Sequence, residues 1–196
     1  MAVRAAAPGK ASVSPRGVRI EALVPAAARA ALPALIAILR DAVDSGASVG
    51  FLPPLKPATA SAYWRGVVAA LDAEPRVLLA ARRAEDGEIV GTAQLEPSGK
   101  ENGRHRAEVT KVMVLQSARR QGVGRALMLA LEDHARRLGR TTLVLDTREG
   151  DPSEALYVSV GWVKAGVIPR FAESAGGRLD GTALYYKLLA PNRGPA

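Results

Sequence analysis

Arg119-Arg120-Gln121-Gly122-Val123-Gly124 lies between a strand pattern, Arg106 to Leu115, and the clearest helical pattern in the chain, Gly122 to Leu138. A basic, glycine-bearing turn that opens a helix is built to hold an anion. The first N–H groups of a helix have no intrahelical partner, and that end carries partial positive charge. Gly122 and Gly124 let backbone approach a ligand with no Cβ in the way. Arg119, Arg120 and Arg125 add cationic donors, and a phosphate chain is the natural guest. Two nucleotide sites are excluded. A P-loop needs Lys-Ser/Thr after its last glycine, where Arg125-Ala126 stands, and the dinucleotide fingerprint needs Gly or Ala where Leu127 stands. Taken alone, the stretch also reads as a helix cap with solvated arginines.

Downstream, Val123, Ala126, Leu127, Ala130, Leu131 and Leu138 keep helical spacing while Arg125, Glu132 and Arg136 point away. Thr141 to Thr147 reads as a strand whose apolar centre, Leu143-Val144-Leu145, predicts burial on both faces. Asp151-Pro152-Ser153-Glu154 is an acidic capping box that opens a short helix. Strands at Trp162 to Ile168 and Thr182 to Leu189 follow. Upstream come a strand (Gly17 to Val24), two helices (Arg29 to Val43, Ala58 to Leu71) and two more strands (Arg76 to Arg82, Glu88 to Gln94). The loop Gly46 to Pro57 is unusually apolar, with Val49, Phe51, Leu52 and Leu55. The order β-α-α-β-β-β-α-β-α-β-β defines an α/β (α+β) class, a mixed sheet of about seven strands with helices on both faces.

At 196 residues the prior is a single domain, placed at 18–190 between disordered tails, 1–17 and 191–196, that have no period. Zero Cys excludes a disulfide scaffold and a Cys nucleophile, and two His make a multi-His metal site a poor expectation, so no metal is expected. No apolar run approaches the roughly 20 residues of a membrane span and no secretory h-region is present, so a cytoplasmic chain without membrane partners is expected. The net charge of +8 favours anionic partners. Aromatics at 4% leave little material for a single-strand stacking platform, and no nucleic-acid partner is expected.

The segment Arg119 to Gly124 fits Gln/Arg-x-x-Gly-x-Gly/Ala and follows Val112-Met113-Val114; Ala155-Leu156-Tyr157 leads on to Gly161-Trp162. On these motifs residues 18 to 189 resemble the GNAT acetyltransferase superfamily, and within it the tabtoxin-resistance type. The resemblance implies a mostly antiparallel sheet with a central splay, and acetyl-CoA as co-substrate. It implies that Val112, Met113 and Val114 serve the acetyl and pantetheine arm, and that Arg119, Arg120, Gln121, Gly122, Val123, Gly124 and Arg125 wrap the pyrophosphate. It implies direct acetyl transfer to a primary amine of a small molecule. A peptide or protein amine, or a non-catalytic CoA- or nucleic-acid-binding module, are the alternatives. A homodimer through the last strands is compatible with the sequence.

An ammonium of pKa near ~10.4 is about 0.04% neutral at pH 7, so a positioned base is worth having. Asp146 ends an apolar strand, where open sheets bind ligands, and is a candidate base or ammonium anchor. Its structural alternative is a turn contact to Thr147 or Arg148. Glu108 falls where some family members carry their base; the alternative is an ion pair with Arg106 or Lys111. Period 2 puts Glu108, Thr110, Val112 and Val114 on one face. Tyr157 stands where the family places a proton donor to the thiolate, and its phenol is protonated at neutral pH. Phe51 and Trp64 are candidates to line the acceptor pocket, with ordinary packing as the alternative. His105 reads as exposed, and His134 and Trp162 as structural.

Overall fold

A computed structural model describes residues 17–73 and 75–190; the expected tails fall outside the described residues apart from Gly17. Seven strands form one sheet in the order β1-β2-β3-β4-β5-β7-β6. They are β1 (Val18–Ala22), β2 (Val77–Arg83), β3 (Ile89–Pro97), β4 (Arg106–Val114), β5 (Thr142–Arg148), β6 (Val163–Glu173) and β7 (Leu179–Leu188). All neighbours are antiparallel except β4 and β5. The helices are α1 (Pro25–Ala30), α2 (Leu32–Asp44), α3 (Pro57–Ala73), α4 (Val123–Arg137) and α5 (Ser153–Ser159).

Two cores sandwich the sheet. On one face α4 and α5 bury Leu127, Met128, Leu131 and Tyr157 against Leu79, Val109, Leu143 and Leu145. On the other, α1 to α3 bury Leu35, Leu39 and Trp64 against Leu78, Ala80 and Met113. The single upstream helix expected at Arg29 to Val43 is two helices. Pro33 has no N–H to give the Arg29 carbonyl, so the helix breaks at Ala31 and restarts.

The α1–α3 layer reaches only as far as β4. Leu143 and Leu145 are therefore buried against α4, while Val144, on the opposite face, is half-exposed. The expected burial of β5 on both faces holds for one. Glu132, expected to point away, is 2% exposed. It accepts hydrogen bonds from Lys187 Nζ (2.6 Å) and Trp162 Nε1 (3.3 Å), so a long strand-to-helix ion pair supplies what an apolar residue would. The apparent polar face of α4 ends where β7 comes over it.

The parallel pairing of β4 with β5 covers only Arg106–Glu108 against Thr142–Val144. Beyond it β5 stays with β7, while β4 stays with β3 through a bulge, Gln94 facing Thr110 and Thr92 facing Met113. At the bulge Lys111 takes φ 50, a left-handed conformation that costs a non-glycine residue about 1–3 kcal/mol. The bulge reverses the alternation. Ala107 and Val109 belong to the α4 core, yet so do Val112 and Val114, while Met113 lies in the other core. Glu108 and Thr110 thus share a face, and Val112 and Val114 do not join them.

Replacing Lys187 by Met should leave the buried Glu132 carboxylate short of its nearest cation, and is expected to lower unfolding free energy by about 3 kcal/mol. Urea denaturation reads this directly, and a change within 0.5 kcal/mol would mean that the Lys187–Glu132 pair does not hold β7 to α4.

Candidate active site

A cavity of about 520 Å³ opens where β4 and β5 part. Its walls include Glu108, Val109, Thr110, Lys111 and Val112 from β4, Asp146, Thr147 and Arg148 from β5, and Tyr157 from α5. Gly46 to Pro53, the apolar loop between α2 and α3, closes one side. Phe171 to Ala175 and Asp180 to Thr182, around the β6–β7 turn, close another. Tyr157 and Val109 belong to the α4 core; Glu108 and Asp146 alternate with buried residues of that core and so face the other way. All four reach one cavity, which is possible only because the sheet is open between these strands.

Asp146 is exposed to the cavity, and the Thr182 hydroxyl donates to its Oδ2 at 2.9 Å. The expected turn contact to Thr147 or Arg148 is not made by its side chain. Arg148 instead donates to the Gly46 carbonyl (3.0 Å) and pairs with Asp151 (3.1 Å), tying β5 to the α2–α3 loop. Glu108 makes no hydrogen bond or ion pair among the described residues, to Arg106 and Lys111 included. Desolvation pushes its carboxyl pKa up, Glu96 and Asp146 push it further, and Lys111 and Arg106 oppose them. Glu96 is its direct cross-strand partner. That carboxylate is already held by two Arg76 bonds (3.1 and 3.2 Å) and the Thr110 hydroxyl (2.9 Å).

Tyr157 is 6% exposed, and burial drives its phenol pKa up to about 12. The capping box that starts its helix works one residue further back than the sequence pattern predicts. Asp151 Oδ1 accepts the Ser153 N–H at 2.9 Å, and Glu154 Oε1 accepts the N–H of Gly150 at 2.6 Å. Phe51 lines the cavity and meets the Tyr63 ring edge-on at 5.5 Å. Trp64 does not: it is fully buried in the α1–α3 core, where its indole fills space that a pocket wall would leave open. Tyr63, one residue earlier, carries the polar link, its hydroxyl accepting the Gln94 amide at 2.8 Å. Only the helix phase separates Tyr63 from Trp64. His105 is exposed, and burial lowers His134 to a pKa of about 4, so it is neutral.

At the phosphate motif, Gly122 is the N-cap of α4 at φ 83, a conformation that suits glycine, and no side chain caps the helix. Gly124 serves packing instead, since a Cβ there would stand 3.0 Å from Leu156 Cδ2. Arg120 and Gln121 are exposed, and Arg120 makes no ion pair among the described residues. Arg119 is otherwise engaged: its Nε donates to the Val114 carbonyl (3.1 Å) and its Nη2 to Ser45 (2.8 Å). Arg125 reaches Ser159 on α5 at 3.1 Å. Val123 is buried beneath the turn. Leu115 N–H bonds the Val90 carbonyl across the β3 ladder, so Val114, one residue earlier, turns its backbone groups toward the splay. Met113 is turned away, its side chain in the α1–α3 core and its position paired with Thr92.

A split sheet with an uncapped, glycine-led helix beside the split offers unpaired backbone groups to an anionic ligand. The acetyltransferase (GNAT) family profile matches residues 39–162. An uncharacterised N-acetyltransferase of Azospirillum brasilense is 36% identical over 111 residues, spanning 56% of this chain and 63% of that relative's length. The crystal structure of a ribosomal-protein-alanine N-acetyltransferase from Brucella melitensis superposes with TM-score 0.71 at 27% identity, covering 87% of this chain and 99% of that one. A phosphinothricin acetyltransferase from Sinorhizobium meliloti, solved with acetyl-CoA, superposes at 0.73 and 21% identity over 91% and 95% of the two chains. The chain belongs to the GNAT acetyltransferase family.

The Tyr157 phenol is expected to stay protonated far above the ordinary tyrosine range. In a pH-jump absorbance titration, the difference between wild type and Tyr157→Phe should show one ionisation near 12. A midpoint near ~10 would mean a solvated phenol. Because the folded value lies above the unfolded one, the stability this group contributes is complete below pH ~10 and is lost as pH rises toward 12.

Proposed function

We propose that the protein transfers an acetyl group from acetyl-CoA to the primary amine of a small molecule, by direct attack in a ternary complex. The observation that carries this reading is the passage through the sheet, which brings Tyr157 from one face and Glu108 and Asp146 from the other into one cavity. In this reading the uncapped start of α4, from Arg120 to Arg125, takes the pyrophosphate. Val112 and Val114 offer backbone groups of β4 to the pantetheine amides, and Arg119 braces the turn against β4 and α2.

Asp146 holds the substrate ammonium and Glu108 accepts its proton, directly or through one water. The freed amine nitrogen bonds to the thioester carbonyl carbon and the carbon–sulfur bond breaks. Tyr157 donates its proton to the departing sulfur, and the second proton released from nitrogen restores the phenol through solvent. Glu108 suits the base role because no cation forms an ion pair with it among the described residues and its pKa is raised toward the working range. Asp146, fixed by Thr182, suits the anchor role.

The cavity is of small-ligand size, and the loop 46–53 and the β6–β7 turn roof it; both favour a small acceptor. The Brucella melitensis relative's name favours a second reading, a protein amine. The exposed apolar side chains of Val163, Val167, Ile168 and Leu184 on the terminal hairpin support a homodimer through the last strands.

Calorimetric titration should give micromolar acetyl-CoA binding to wild type and none to the double variant Gly122→Asp, Arg120→Glu. A well-folded wild type that binds no acetyl-CoA removes the acetyltransferase reading. Tyr157→Phe should lower kcat by roughly 10²-fold without weakening acetyl-CoA binding. In the pH profile of kcat/KM the acid limb should lie above the ordinary Glu range, as the raised Glu108 pKa requires, and should vanish in Glu108→Gln. Survival of that limb would assign the base elsewhere.

A further inference from the structure

Of the two cations on the cavity wall, only one is spoken for. Arg148 is paired with Asp151 and the Gly46 carbonyl. Lys111 is half-buried, lines the same cavity, and makes no ion pair or hydrogen bond among the described residues. Its ammonium stands 5.7 Å from the centre of the Tyr63 ring and near Gly50, where an added Cβ would lie in ordinary contact with it at 3.8 Å. The backbone is strained to put it there, with φ 50 at the bulge. A strict strand would have turned residue 111 with Val109, into the α4 core.

A half-buried cation with no carboxylate in contact with it is left partly uncompensated unless a ligand supplies one. Carboxylates are not scarce around the cavity: Glu108, Asp146, Asp151, Glu173 and Asp180 all line it. None of them lies within ion-pair distance of Lys111. The wall therefore presents a pair of acids, Glu108 and Asp146, suited to an ammonium, and a separate cation suited to an acid.

We propose that Lys111 binds an acidic group of the acceptor, so that the enzyme acts on amino-acid-type molecules carrying a carboxylate beside the amine. This rests on the acetyltransferase reading above and narrows its substrate class. Lys111 sets specificity: the carboxylate docks on its ammonium, over the Tyr63 ring, and the amine then turns toward Glu108 and Asp146.

The experiment compares L-phenylalanine with phenethylamine, L-leucine with isoamylamine, and L-methionine with 3-(methylthio)propylamine as acceptors, in wild type, Lys111→Met, Lys111→Gly and Lys111→Arg. Wild type should prefer the acid of at least one pair in kcat/KM. In Lys111→Met and Lys111→Gly that acid-to-amine ratio should fall about 30-fold, mostly through KM, the scale of one charge-assisted contact. Lys111→Arg should keep most of it. Lys111→Gly guards against a folding artefact, because glycine accepts the positive φ without strain. Equal losses for acid and amine in the variants would make Lys111 a structural prop or a transition-state group, and would overturn the proposal. So would a wild type that favours the amines, or turns over neither set. Acetyl-CoA binding then separates the failures: retained, it sinks only this inference; absent, it sinks the acetyltransferase reading too.

Discussion

The parting of β4 from β5 after three paired residues is the constraint on which the rest of the molecule depends. An open seam in the middle of a sheet leaves backbone donors and acceptors unpaired, and buried unpaired groups are costly. The fold meets that cost locally. β4 is held to β3 by a bulged ladder, β5 to β7 by a full seven-residue register, and Arg119 covers the Val114 carbonyl. What remains is an edge wide enough for a ligand that brings its own amides. The same seam lets side chains from both faces of the sheet meet, which an intact sheet forbids.

The seam also explains why the helical layers are unequal. α1 to α3 cover β1 to β4 and stop, so the face of β5 and β7 beside them stays open. Val144 and Asp146 lie on that face, and the loop 46–53 leans over it. Arg148 joins loop and strand through the Gly46 carbonyl, so the roof of the cavity is fixed to its floor. The catalytic candidates are therefore placed by regular elements, Glu108 and Asp146 on strands and Tyr157 on a helix, while the acceptor side is built of loop. A site arranged this way keeps its chemistry rigid and its substrate choice adjustable.

Much of this was legible in the sequence. Seven strands were expected close to their observed places, 3.6-residue spacing marked α2 and α4, the acidic capping box marked α5, and the glycine-led turn at 119–124 marked the start of α4. What escaped was what local periodicity does not encode. The bulge at Lys111 has no glycine to announce it, so the run from Glu108 to Val114 reads as simple alternation. Glu132 looks like a surface residue until β7, 55 positions away, brings Lys187 to it. Trp64 and Tyr63 are neighbours in sequence, and which of them packs behind the cavity wall against Phe51 and Lys111 depends on a helix phase shift of about 100°. Leu143-Val144-Leu145 looks doubly buried because an apolar run cannot say that one covering layer ends early. Each miss lies where tertiary context, rather than propensity, decides orientation.

Charge shows the same division between global and local. The chain carries +8 overall, yet the cavity wall holds five carboxylates against two cations. A basic surface raises the local concentration of a polyanionic co-substrate, and in the proposed reading a wall rich in acid receives the ammonium of an acceptor. A purely acidic pocket would bind any amine, diamines best, and would discriminate little among them. A single unpaired cation changes that, because a site built to pair with a charge penalises every ligand lacking it by leaving its own group desolvated and alone. The strained backbone at Lys111 is then intelligible. The bulge beside the seam is the same distortion that turns this cation into the cavity, where the proposed acceptor would meet it.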